Sequence, residues 1–226
     1  VHTSDIRFGL GAVKGVGDAA LEAITEARRQ EPFNSLPDFC ERVDLRRVNR
    51  RVIEALIKCG AFDSIGGKRA QYLAMLDEAM DAGQKLQRER ELGQESLFGA
   101  EQISAPRGGG RLPDGDEWPE NVLLANEKEA LGFYITGHPL ARHSAAIKRF
   151  ASCDASSLAE RADKEEVSLC GIVAGIKELT TKKGDRMAFV TLEDLSGFVE
   201  MVIFPEVYMA AIDLLKSEEP LLVRGA

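Results

Sequence analysis

The hydrophobic period of this chain changes once. Up to about residue 160, apolar residues recur at the three- and four-residue spacing of helices. From Val167 they alternate, in the runs VSLCGIVAGIKEL, RMAFVTLED and GFVEMVIF. Side chains return to one face every 3.6 residues on a helix and every second residue on a strand, so one layer cannot satisfy both patterns. The 226 residues are therefore expected to form an α+β multidomain protein, with an all-α module first and a small β module after it.

In the first part, Gly15-Val16-Gly17 precedes DAALEAITEARR, where Ala20, Leu21, Ile24 and Ala27 fall at helical spacing, and Pro32 ends the run. Ser35 suits an N-cap, with Asp38 three residues on in a capping-box arrangement. A third helix is expected from about Arg47 to Cys59, burying Val48, Val52, Ile53, Leu56 and Ile57, with Gly60 at its stop. A fourth carries Tyr72, Leu73, Leu76 and Met80. Residues 99–119, with three prolines and a triple glycine, read as a flexible tether. Helices resume in ENVLLANEKEAL and ARHSAAIKRF. The expected modules are 1–92, helical; 93–120, motif and linker; 121–160, helical connector; and 167–226, β.

The Gly-apolar-Gly turn before a small-residue helix is the pattern of a helix-hairpin-helix. Glycines there permit positive φ and close approach to a phosphate, and the next helix begins with unbonded N–H groups and a dipole that favours an anion. Lys14, Gly15, Val16 and Gly17 are the candidate residues. Such a grip reads no base identity. A plain αα-corner fits the same residues. Further on, RVDLRRVNRRVIEALIK sets Arg42, Arg46, Arg47, Arg50, Arg51 and Lys58 against Asp44 and Glu54, a local excess of four positive charges in a chain of net charge −8. Arg46, Arg47, Arg50 and Arg51 are the candidates for phosphate attachment. The competing reading is a solvated face whose arginines pair with acids elsewhere.

From Val167 the order strand, strand, strand, helix, strand is that of an OB-fold, which binds single strands on its second and third strands and through the loop joining the first two. That loop, TTKKGDR, supplies Lys182, Lys183 and Arg186. Phe189, Phe198 and Phe204 are candidates for base stacking, or for the core.

The blocks IRFGLGAVKGVGDAALEAI, PFNSLPDFCERVDLRRVNRRVIEALIKCGAFDS, NEKEALGFYITGHPL and TTKKGDRMAFVTLEDLSGFVEMVIFPEVY resemble the C-terminal half of the bacterial DNA polymerase III alpha subunits. The resemblance covers nearly the whole chain except the tether. It implies DNA as partner, both duplex and single-stranded, together with other replisome subunits and a cytoplasmic setting. It also implies that QESLF is a clamp-binding pentapeptide, in which Gln94 bonds at a pocket rim while Leu97 and Phe98 fill an apolar groove on the sliding clamp. The catalytic carboxylates of that family lie upstream, so the chain itself is expected to be inactive, within a parent DNA-directed DNA polymerase. It reads as an excised fragment whose OB-fold continues past Ala226, which leads us to expect either disorder of that module or dimerisation through an open edge.

Two other readings remain open: an RNA-binding OB-fold like the anticodon-binding domains of tRNA synthetases, and a helix-hairpin-helix glycosylase with Asp38 or Asp44 as catalytic acid. No apolar run approaches the roughly 20 residues of a bilayer span, so no membrane partner is expected. Cys40, Cys59, Cys153 and Cys170 lack CxxC spacing, and His2, His138 and His143 lack ligand spacing, so neither metal nor cofactor is expected. Asp194, in TLEDLSG, reads as a turn residue.

Overall fold

A computed structural model describes residues 8–92, 112–217 and 219–226. The chain divides into two compact units, 1–135 and 136–226.

The first unit is helical. A short 3-10 turn at Leu10–Ala12 leads through the glycine hairpin into α1 (Asp18–Gln30), followed by α2 (Leu36–Arg42), α3 (Arg50–Lys58), α4 (Arg69–Glu91) and α5 (Glu120–Leu131). Its core joins Val13, Val16, Ile24, Leu36, Phe39, Val48, Ile53, Leu56, Ile57, Tyr72 and Leu76, all buried. The expected stripe of α3 is therefore inside, but the helix starts at Arg50, because residues 44–48 form a turn and the Asn49 side chain caps α3 by accepting from the Val52 N–H. In α2, Ser35 Oγ accepts from the Asp38 N–H at 3.1 Å. The return bond runs from the Asn34 N–H to Asp38 at 3.0 Å, one residue outside the expected box. Gly83 lets α4 cross the end of α2: a Cβ there would stand 2.4 Å from the Cys40 carbonyl oxygen. One turn later Gln87 donates to the Cys40 and Val43 carbonyls at 2.9 and 2.8 Å, satisfying the end of α2.

Two boundaries differ from expectation. Residues 112–119 are not a tether: Gln71 donates to the Pro113 carbonyl at 2.8 Å, Lys68 to that of Gly115 at 3.1 Å, and Leu112 and Trp118 pack on the helical core. Glu117 accepts the Arg69, Ala70 and Trp118 N–H groups at 2.8, 3.0 and 2.9 Å, so it caps α4 from a distance in sequence. Burial pushes this carboxyl up, but the three backbone donors outweigh it and hold it below the usual range. The second difference is α5, which belongs to the helical unit and not to a connector. It is fixed there by Arg69, whose side chain is 6% exposed and whose guanidinium bonds to Asp63 at 2.7 Å and to the fully buried Glu127 at 2.9 Å. Glu127 also accepts the Ile135 N–H at 2.8 Å.

The second unit holds α6 (Ser144–Phe150) and an antiparallel sheet of β1 (Val167–Thr180), β2 (Arg186–Glu193), β3 (Phe198–Ile203) and β4 (Leu221–Gly225), with α7 (Pro205–Leu215) between the last two. The strand order is β3-β2-β1-β4. β1 pairs first with β4 and then with β2, and an irregularity between Val173 and Gly175 lets one strand curl between the two. Ala188, Val190, Tyr208 and Leu215 close the interior. The outer edges of β3 and β4 have no strand neighbour among the described residues. Asp194 is the turn residue expected: it accepts the Ser196 and Gly197 N–H groups at 2.7 and 2.8 Å, and the Ala155 N–H at 2.7 Å.

Replacing Glu127 with alanine leaves the Arg69 charge buried beside a lost partner. Urea unfolding should show a loss of about 3–5 kcal/mol, and adding Arg69→Met to that variant should restore most of it.

Candidate nucleic-acid interfaces

The hairpin is a tight turn in which the Val16 N–H bonds to the Val13 carbonyl at 3.1 Å. Gly15 sits at φ +83°, a left-handed conformation that other residues rarely adopt. Val13 and Val16 point into the core, while Lys14, Gly15 and Gly17 face solvent. A Cβ at Gly15 or Gly17 would meet nothing within 4 Å, so no internal packing demands glycine at either place. The turn is pinned by the Lys14 N–H, which donates to the Ala130 carbonyl of α5 at 2.8 Å. Gly17 begins α1 without a side-chain cap, whereas Ser35, Asn49 and Glu117 bond the opening N–H groups of α2, α3 and α4.

Beside the hairpin lies an open depression of about 580 Å³ lined by Lys14, Gly15, Arg51, Glu54, Lys58 and Glu129. Lys58 is held by Glu129 at 2.9 Å and Glu54 at 3.3 Å, and these bonds raise its pKa against a smaller effect of burial. Lys14 and Arg51 make no ion pair among the described residues. The other candidates are engaged. Arg46 pairs with Asp44 at 3.1 Å and Glu91 at 3.2 Å. Arg47 pairs with Glu22 at 2.5 Å and Glu26 at 3.5 Å. Arg50 pairs with Glu54 and Asp77, both at 2.7 Å. These pairs are largely solvent-facing, and such contacts are worth roughly 0–1 kcal/mol, so a phosphate can exchange for them. Only Arg51 of the four arginines joins Lys14 in one concavity.

Asp38 and Asp44, weighed above as catalytic acids, serve locally: Asp38 pairs with Arg42 at 3.0 Å and Asp44 with Arg46. The four cysteines are free thiols, and burial pushes Cys40 up to about 12, where it is inert. Among the described residues no group of three His, Cys, Asp or Glu side chains could hold a metal ion, and no helix is long and apolar enough to cross a membrane.

In the second unit, the β1–β2 turn is closed by the Thr181 N–H bonding to the Asp185 carbonyl at 2.8 Å. Lys182 and Lys183 are exposed at its tip and make no ion pair among the described residues. Arg186 is held by Glu178, which also pairs with Lys216 at 3.0 Å. The Tyr208 hydroxyl, Lys216 and Arg186 together lower the Glu178 carboxyl to about 2. Because Ala188, Val190 and Met201 face the interior, Phe189, Thr191, Glu200 and Val202 occupy the outer face. The register places Lys177 beside Phe189 and Phe189 beside Val202 in one row, with Glu193 beside Phe198 at the far end. Phe198 is 62% exposed and Phe204, at the start of α7, 66%. Lys177 and the outward parity of Phe189 were not singled out in the sequence; strand register supplies both. The motif residues Gln94, Leu97 and Phe98 lie outside the described residues.

Residues 1–72 match the family described as helix-hairpin-helix motif, and residues 167–226 the family described as OB-fold nucleic acid binding domain. The DNA polymerase III subunit alpha of Neisseria meningitidis serogroup B is 40% identical over 222 residues, covering 97% of this chain and 19% of the relative. That of Vibrio cholerae is 36% identical over 221 residues, again 97% of this chain and 19% of the relative. That of Pseudomonas aeruginosa is 38% identical over 239 residues, 97% of this chain and 20% of the relative. The chain is homologous to one segment of the DNA polymerase III alpha subunits. It spans about one fifth of the length of these curated relatives. As in the DNA polymerase III alpha resemblance read from the sequence, it carries a helix-hairpin-helix region followed by an OB-fold.

The depressed Glu178 carboxyl contributes stability that is complete above the ordinary carboxylate range and lost as pH falls toward about 2. Side-chain carboxyl NMR titration should place its midpoint near that value, and Lys216→Gln should move the midpoint upward.

Proposed function

We propose that this chain is a non-catalytic, nucleic-acid-holding part of a bacterial replicative DNA polymerase, acting in the cytoplasm beside other replisome subunits. The helical unit grips the duplex backbone. The observation that supports this most is the meeting of Lys14 and Arg51, two cations with no ion pair among the described residues, in one depression at a glycine turn that leads into an uncapped helix start. Backbone N–H groups and cations together suit a phosphate, and they impose no sequence preference. Arg46, Arg47 and Arg50 form an outer ring of charge that a phosphate can take from its present carboxylates. In the OB-fold, Lys177, Lys182, Lys183 and Arg186 hold the backbone of a single strand, while Phe189 and Phe198 offer rings to its bases.

Duplex binding measured against salt tests the first part. Each lost phosphate contact should make the slope of log K against log salt shallower by about 0.9. Lys14→Glu with Arg51→Glu should flatten it by roughly two such contacts, and Arg46→Glu with Arg47→Glu by less. Equal slopes for the wild-type and Lys14/Arg51 proteins would remove the hairpin grip.

The second attachment is QESLF. Burying Leu97 and Phe98 in an apolar groove supplies roughly 3–5 kcal/mol before ordering costs, which suits a weak contact made useful by shared DNA. A titration with the sliding clamp should give an affinity on the order of micromolar. Alanine at Gln94, Leu97 and Phe98 together should abolish it, and an unchanged isotherm would exclude the motif.

A further inference from the structure

We propose that the outer face of the OB-fold discriminates between bases, favouring cytosine over thymine through Glu200 and Thr191; this rests on the single-strand reading given above. Thr191 on β2 lies directly beside Glu200 on β3, and on its other side it faces Gly175 of β1. Gly175 has no side chain, and even a Cβ built there would reach only the Thr191 hydroxyl, at 4.0 Å. The missing side chain, at the irregularity that curls β1, leaves a recess over that hydroxyl. Phe189 and Val202 occupy the next row of the same face, so the ring stands diagonally across from Glu200. Glu200 is exposed and makes no ion pair among the described residues, whereas Glu178, on β1 of the same sheet, is held by Arg186 and Lys216.

These groups form a donor–acceptor pair next to a stacking ring. A base laid on Phe189 presents its pairing edge toward Thr191 and Glu200. Cytosine offers an exocyclic amine to the carboxylate, the pairing that acidic side chains make with that base. Its ring nitrogen then accepts the Thr191 hydroxyl. Thymine turns a carbonyl oxygen toward the carboxylate and a ring N–H toward the hydroxyl, so the first contact becomes repulsive. A face built only to hold backbone would have no reason to set a carboxylate one row beyond the stacking ring, on the side away from the lysines of the β1–β2 turn, because it repels the phosphates that Lys177, Lys182 and Lys183 attract. Its placement is explained if bases, not phosphates, pass over it.

The test uses the 226-residue chain and two 15-nucleotide strands at neutral pH: all thymine, and the same strand with every second base cytosine. The hairpin contacts backbone alone and adds equally to both. The wild type should bind the cytosine-bearing strand about tenfold more tightly. Glu200→Gln keeps shape and exposure but carries an amide that can donate to the thymine carbonyl, so the ratio should fall to near one, mainly through tighter binding of thymine. Phe189→Ala should weaken both strands. A wild-type ratio of one with Phe189→Ala still weakening both overturns the base preference alone. Phe189→Ala without effect on either strand overturns the single-strand reading, and the preference with it.

Discussion

The buried charge of Arg69 organises the helical unit. It lies at the start of α4, reaches Asp63 in the turn after α3, and meets Glu127 on α5. Burial works against its ionised form, yet the hydrogen bonds to Asp63 and Glu127 outweigh that penalty and hold it protonated. Three segments distant in sequence are thereby placed around one guanidinium. The hairpin depends on this arrangement at one remove, because the carbonyl that pins Lys14 belongs to Ala130, one turn beyond Glu127 on the same helix. α5 also contributes Glu129 to the depression. A polar contact made for folding thus sets the geometry of the surface offered to a phosphate.

The two proposed interfaces are built by different means. The hairpin relies on what is missing among the described residues: side chains at Gly15 and Gly17, a side-chain cap on α1, and ion pairs to Lys14 and Arg51. The OB-fold relies on register. Strand alternation sends Ala188 and Val190 inward, which obliges Phe189 and Thr191 to face outward, and the pairing of β2 with β1 and β3 decides which side chains flank them. Charge of opposite sign lies close to both surfaces, so neither is a plain basic patch; this agrees with a chain of net charge −8.

Most of the architecture was legible in the sequence because hydrophobic period is a local signal. The change at Val167, the stripe of α3 and the turn at Asp194 all follow from residues within a few positions of one another. What the sequence concealed is long-range. Glu117 bonds N–H groups 47 and 48 positions away, so its segment, rich in glycine and proline, read as a tether when part of it is a strap. The arginine run showed its charge but not its partners, since Glu22, Asp77 and Glu91 come from other helices. Arg51 and Arg50 are neighbours in the chain, and only packing distinguishes the cation that joins Lys14 from the one already matched.

The strap has a meaning of its own. Glu117 places an oxygen-bearing anion, supplied by the protein, on the opening amides of α4, as Ser35 and Asn49 place neutral oxygens on α2 and α3. The chain therefore displays internally the very chemistry it withholds from α1. A visiting phosphate has no need to evict a resident there, whereas at α4 it must dislodge a tethered competitor that already holds two of the opening amides. Of these four helix starts, three are sealed, so a backbone approaching any of them meets an open start at α1 alone.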